Sequence, residues 1–324
     1  MSRRGAEPRP NGAVAPAAPH APERGRLARL LGPFHVTGVF WFRAHAFGAR
    51  RSDRFKRLVM PVMTGLFFLL LWRIRRAVTA NLAAALGTAG WVERQRRIWR
   101  TFYSFAWSQT ERYERLFTDA AFVVEARGRA EWDRLSRAAA GLVLVTGHVG
   151  NWEMASSVPA TEEGTTMHVV REEELDPRAQ AWVAERLQAR LGGGYRTHFA
   201  EDDPFLGLAL REALERGEVV ALQGDRPRKG GGALEVPLFG RPYALPIGPL
   251  VLARQTGVPI LPAFVHRLGR RRYEVVFHPP IEVARTADRR ADLLGAARRL
   301  AGDLEEAIRR TPHQWFVFRE LWRS

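Results

Sequence analysis

The chain has 324 residues, 46% of them hydrophobic, enough for one large domain or a domain with an appendage and too apolar for global disorder. With no cysteine it holds no disulfide, no thiolate metal site and no cysteine nucleophile. Its formal charge of +16, carried almost wholly by arginine, attracts polyanions: nucleic acid, anionic lipid or an acidic protein.

Residues 1–25 are rich in Pro, Ala, Gly and Arg without periodicity, which predicts a disordered tail. Arg3 and Arg4 have no apolar run close behind them, so they do not make a secretion signal. The segment 26–118 reads as helical and membrane-associated. Within it "LVMPVMTGLFFLLLW" (58–72) is free of charge, with Arg54, Lys56 and Arg57 before it and Arg73, Arg75 and Arg76 after. As a helix it spans roughly 22 Å, short of the roughly 30 Å hydrocarbon core. A buried core helix, a membrane span and a helix lying in one leaflet all fit; basic flanks on both sides favour the last. Pro61 suits a first turn or a kink. Residues 77–117 are helical apart from a break at Gly87, with Trp91, Ile98, Trp99, Phe102, Phe105 and Ala106 forming a stripe expected to pack in the core.

From about 119 to 324 short β-branched runs alternate with helical stretches. Strands are predicted at 122–126, 142–146, 167–171, 219–223, 259–265 and 272–278, and helices at 129–139, 152–158, 177–191, 204–216, 247–256 and 287–310. That order gives an α/β fold: a mixed, largely parallel sheet flanked by helices, preceded by an N-terminal helical membrane-docking segment. The last strand is expected antiparallel to its predecessor, because "RLGR" is hairpin-short.

The chemistry gathers at strand ends. "LVLVT" is apolar on both faces, as a central parallel strand is, and ligands collect beyond the carboxyl ends of such strands. His148 stands there, in "GHVGNWE". Asn151 is placed to cap the next helix and Glu153 to lie in its first turn. The turn can bring Glu153 to one imidazole nitrogen, fixing the tautomer and leaving the other nitrogen as a base. A His-x4-Glu spacing also arises by chance, with His148 an ordinary turn histidine. No Gly-x-Ser-x-Gly elbow is present, so a base without a protein nucleophile fits direct transfer of an activated acyl group to a substrate hydroxyl. A second strand runs into "GDRPRKGGG", where Asp225, Arg226, Arg228, Lys229 and three glycines make a loop able to bind phosphate or a flexible solvated turn. Arg171 also ends a strand and can face the same rim.

"GHVGNWE", with "RIRRAVTANLAAALG", "MHVVRE", the block from "QGDRPRKGGG" to "GVPILPAF" and the closing "TPHQWFVFRELW", resembles the lysophospholipid acyltransferase superfamily, and most closely its bacterial lipid A late (lauroyl/myristoyl) acyltransferase branch, over roughly 35–322. The resemblance implies a membrane-associated O-acyltransferase on the cytoplasmic face of the inner membrane. His148 is its general base, Glu153 the orienting partner, Asn151 an oxyanion-donor candidate, and Arg171, Asp225, Arg226 and Lys229 bind the head group. Expected partners are an acyl carrier protein or coenzyme A thioester, a lipid acceptor and the membrane surface. No metal, no cofactor and no nucleic acid is required. The stretch around Phe239 and Leu245 is implied to line the acyl path. "GDRPRKGGG" departs from that branch's usual Asp-centred motif, so a lipid A precursor, a lysophospholipid and another glycolipid stay open as acceptors. Two rivals remain: a nucleic-acid-binding protein, suggested by charge alone, and a non-catalytic membrane protein.

Overall fold

The computed structural model describes residues 39–157, 166–171, 185–186, 189, 194–199, 205–227 and 231–322. The predicted tail 1–25, most of the predicted helix 177–191, Arg228 and Lys229 lie outside them. Four helices come first: α1 Val39–Ala49, α2 Asp53–Leu70, α3 Trp72–Leu86 and α4 Trp91–Phe117. Ser52 starts α2 by accepting from the Phe55 N–H. The helix therefore begins five residues before the uncharged run, and Pro61 sits in its interior rather than its first turn. α2 and α3 have the combined length and apolarity of a span but meet at 93°, and no single described helix is long and apolar enough to cross a membrane.

The α/β part follows as β1 Val123–Arg127, α5 Arg129–Ala138, β2 Leu142–Thr146, a 3-10 turn Trp152–Ser157, β3 Met167–Arg171, β4 Tyr195–Phe199, α6 Leu206–Glu215 and β5 Val219–Gln223. It continues with β6 Ala233–Leu238, β7 Arg241–Pro246, α7 Gly248–Thr256, β8 Ile260–Gly269, β9 Arg272–Phe277 and α8 Arg289–Arg310. Seven strands form one sheet in the order β1-β9-β8-β2-β5-β3-β4. β8, β2, β5, β3 and β4 run parallel, and β9 turns back antiparallel on β8, as the short connection requires. β6 and β7 make a separate hairpin. The sequence pattern hides it, because Pro237, Pro242 and Pro246 interrupt the alternation, which a two-stranded ribbon tolerates. β4 is hidden too: "YRTHF" is a sheet edge with little burial to impose a pattern.

Two apolar layers sandwich the sheet. Tyr113, Leu116, Trp132 and Met154 pack one face with Leu142 and Leu144, while Leu210, Leu250, Leu300 and Leu304 pack the other with Val143 and Val145. β2 is buried at every residue, which explains its unbroken apolar run. The aromatic stripe of α4 divides: Ile98 and Phe102 are core, whereas Trp91 is 68% exposed.

The other face of α4 carries two glutamates, Glu111 and Glu114, both with no exposed side-chain surface. Arg267, Arg270 and Arg271 of the β8–β9 turn region and Lys56 of α2 neutralise them. Buried charge of this kind persists only when paired and hydrogen-bonded. Here it fastens the helical N-terminal part to the end of the sheet.

Candidate active site

β2 and β5 are neighbours, and their register pairs Thr146 with Gln223. Each strand is followed by a glycine and then by a polar residue, so His148 and Asp225 leave the sheet side by side. The Gly224 N–H donates to the Thr146 carbonyl at 2.8 Å, extending the ladder by one step. The two loops pass so close that a Cβ at Gly224 would lie 2.4 Å from Val145 Cγ1. His148 Nδ1 then meets Asp225 Oδ1 at 2.7 Å, and the His148 backbone N–H donates to Asp225 Oδ2 at 2.8 Å.

Asp225 is fully buried. Burial by itself would raise its carboxyl, but His148 and Arg226 hold it below the usual range. The carboxylate accepts from Nδ1, and because Arg226 can only donate, Nε2 meets it as an acceptor. Arg226 donates to that Nε2 from the outer side. The Tyr243 hydroxyl, brought in by β7, donates to the Asp225 carbonyl and closes the loop from above. The pair is thus a buried carboxylate, an oriented imidazole and one basic nitrogen aimed outward at the carboxyl rim of the sheet.

The expected partner of His148 was Glu153, and the structure corrects this. Both ring nitrogens of His148 are taken, by Asp225 and Arg226. Gly150 turns the chain with φ +59°, and the 3-10 turn that follows carries Glu153 toward α4. There Arg112 and Arg171 bind its carboxylate at 2.9 and 2.8 Å, and Arg115 binds its carbonyl. Burial alone would raise the Glu153 carboxyl, but Arg112, Arg171 and Arg115 hold it down to about 2. Glu153 is the hub of a buried ion cluster that sets the turn after the histidine.

Other assignments shift with it. Asn151 is buried, reaches the Ser108 carbonyl of α4 at 3.4 Å and hydrogen-bonds the Tyr273 hydroxyl. It pins the turn from inside instead of presenting an amide to substrate. Arg171 is likewise committed, to Glu153 and across the Trp152 ring, rather than to a head group. Asp225, expected at a head group, faces the imidazole. Arg226 alone of the described head-group candidates stands at the basic nitrogen. Leu245 is fully buried in the core and Phe239 packs on Trp315 and Trp322, so they form no open groove.

An apolar cavity of about 350 Å³ lies instead among α1, α2 and α4, lined by residues including Val59, Met63, Phe67, Phe105 and Phe318. Phe105 packs edge-on against Phe316 at 5.2 Å, and the Phe316 N–H donates to the His148 carbonyl at 2.8 Å. The cavity wall is therefore one ring away from the histidine's peptide. Among the described residues no group of three His, Asp or Glu side chains is placed to hold a metal ion.

The Asp225 partnership had a sequence signal. "LVLVTGH" and "VVALQGD" share a pattern of apolar strand, polar residue, glycine and titratable residue. Two such strands side by side in register bring those last residues together.

Residues 55–324 match the sequence profile of bacterial lipid A biosynthesis acyltransferases. The chain belongs to that family. Among curated relatives it is similar to phosphatidylinositol mannoside acyltransferases from two strains of Mycobacterium tuberculosis, each 27% identical over 195 residues. The alignment takes in 59% of this chain and 57% of each relative, so the chain spans somewhat over half the length of those proteins.

Proposed function

We propose that this acyltransferase moves a fatty acyl chain from a thioester to a hydroxyl of a lipid acceptor, with His148 as the general base. The observation that carries the reading is the 2.7 Å contact between His148 Nδ1 and the buried Asp225 carboxylate. Nε2 takes the proton of the acceptor hydroxyl while that oxygen attacks the thioester carbonyl carbon. The tetrahedral intermediate collapses, the C–S bond breaks, and the departing thiolate receives the proton from the imidazolium. Asp225 holds the tautomer and stabilises the imidazolium as it forms. Arg226 must leave Nε2 for the acceptor to approach, and in doing so it becomes available to the head group. Lys229, three positions further along the sequence, is proposed as a second head-group contact.

The acyl chain is placed in the cavity among α1, α2 and α4, whose volume falls within the range of about 300–1,000 Å³ usual for ligand sites. The membrane reading rests on the outer face of α2. Leu58, Val62 and Leu69 are 73%, 68% and 73% exposed, and Phe55 and Leu66 continue the stripe. Arg54 and Arg57 in the first turns of α2 are exposed too, as are Arg73 and Arg76 just beyond it at the start of α3. An apolar stripe with basic residues at its start and just past its end suits a helix lying in an anionic lipid surface. A thioester donor, from acyl carrier protein or coenzyme A, places the reaction at the cytoplasmic face of the inner membrane. The relatives' names favour a sugar-bearing lipid as acceptor, with a lipid A precursor and a phosphatidylinositol mannoside as the first two to try.

The test is incubation of purified protein with bacterial membranes and isotopically labelled acyl-CoA or acyl carrier protein, followed by mass spectrometry of the lipids. Labelled acyl lipid is expected with the wild type and not with His148→Ala. Equal transfer by the two proteins refutes the assignment.

A further inference from the structure

The closing motif "PHQW" is not consumed by this chemistry, and its geometry gives it a task. Gln314 is 5% exposed. Its Oε1 accepts from the Arg267 N–H at 2.8 Å and its Nε2 donates to the Arg267 carbonyl at 2.9 Å. A primary amide here does what a neighbouring strand would do. β8 has ten residues against five in β2, and β2 pairs only with 260–262, so the later part of β8 lacks a β2 partner along that edge. Gln314 satisfies the exposed peptide at Arg267, and both of its amide groups are used.

The backbone of the same segment grips the histidine loop. The Gly150 N–H donates to the Gln314 carbonyl at 2.9 Å, Trp315 forms an antiparallel bridge with Val149, and the Phe316 N–H donates to the His148 carbonyl at 2.8 Å. With the His148 N–H on Asp225, both backbone polar groups of His148 are fixed, one to each side of the site. Gly150 is packed tightly between the two holders: a Cβ there would lie 2.3 Å from the Val265 carbonyl oxygen and 3.3 Å from Gln314 Oε1.

We propose that Gln314 is a positioning residue for the general base: its amide clasps β8 at Arg267 and so sets the height of the 314–316 segment, which in turn holds the His148 peptide where the imidazole meets Asp225. The Arg267 side chain meanwhile grips Glu111 of α4 through two nitrogens. One β8 residue thus anchors the catalytic loop by its backbone and the N-terminal helices by its side chain. The proposal rests on His148 being the base.

The experiment compares wild type with Gln314→Ala and Gln314→Glu by steady-state kinetics and by the low-field proton NMR resonance of His148 Nδ1–H, assigned by its absence in His148→Ala. The ionised Gln314→Glu keeps the acceptor half of the clasp and loses the donor half. A displacement near 1 Å at a catalytic group costs up to about 10²-fold. Gln314→Ala is therefore expected to lose about 10- to 100-fold in kcat with KM for the acyl donor within about twofold, and to shift or broaden the resonance. Gln314→Glu, which sets a second carboxylate oxygen against the Arg267 carbonyl, is expected to lose kcat and move the resonance in the same direction. A folded Gln314→Ala with wild-type kcat and an unmoved resonance overturns the proposal. So does a variant whose kcat and KM change together while the resonance stays in place. Should Gln314→Ala fail to fold, Gln314→Glu decides by the same two readouts. The resonance reports geometry without turnover, so an active His148→Ala would sink the functional reading and leave the clasp still testable.

Discussion

Replacing Asp225 with Asn probes the centre of the site with almost no change in shape. The carboxylate accepts two hydrogen bonds, from Nδ1–H and from the His148 backbone N–H, and is wholly buried. An amide has one acceptor. If its oxygen stays on the backbone N–H, its NH2 faces Nδ1, and the imidazole must move its proton to Nε2, where it can no longer take one from a hydroxyl. If the oxygen turns to Nδ1–H, the backbone N–H is left buried against another donor, at about 1–3 kcal/mol. Either way the imidazolium formed during transfer loses its buried counter-charge. In the catalytic triad of a serine protease the same exchange lowers kcat about 10⁴-fold; a loss of about 10³- to 10⁴-fold is expected here, or about 4–5 kcal/mol of barrier. The assay is single-turnover transfer from labelled acyl-CoA into membrane lipid between pH 6 and 9, with Glu153→Gln alongside. Glu153→Gln is expected to lose less than about tenfold in rate, because its carboxylate meets arginines and not the imidazole. An Asp225→Asn protein within tenfold of wild type would refute the pairing as a catalytic one.

Glu153 instead contributes to stability. Its carboxyl is held at about 2 against an ordinary 4.5, a depressed value, so the stabilisation is present above about pH 4.5 and is lost as pH falls toward 2. The shift corresponds to about 3 kcal/mol. Urea unfolding should therefore show Glu153→Gln weaker than wild type by about that much at pH 7, with the gap closing below pH 4. Gly150→Ala forces a side chain into φ +59° and against the Val265 carbonyl; a loss above about 2 kcal/mol is expected in thermal unfolding. On α2, Val62→Glu with Leu66→Glu should abolish sedimentation with anionic vesicles while leaving the melting temperature within a few degrees, since both side chains face outward.

The strands that matter were legible because their signals are local. β2, β3 and β5 each stand as five-residue apolar or β-branched runs, and all three occupy the residues that the pattern marks. The helices expected at 129–139, 204–216, 247–256 and 287–310 were legible for the same reason, as was the antiparallel return of β9, whereas 152–158 is a 3-10 turn. Family likeness also lay in the linear motifs, and it holds across 55–324. The weakly patterned edge strand β4 and the proline-interrupted hairpin were not legible, since nothing local distinguishes them from loops.

The partners within the site belong to the tertiary structure. Read along the chain, His148 has a carboxylate five positions away, and proximity in sequence suggests that Glu153 serves it. Folded, His148 lies against an aspartate 77 positions away, because the register of two parallel strands sets both residues one glycine beyond a paired end. Glu153 is drawn off by Arg112 and Arg115 of a helix that precedes the whole sheet. The sequence by itself determines which residue types stand at the ends of which strands. Which of them meet is decided by strand order and register, long-range properties fixed by burying the sheet between its helices, and spacing along one chain segment does not encode them.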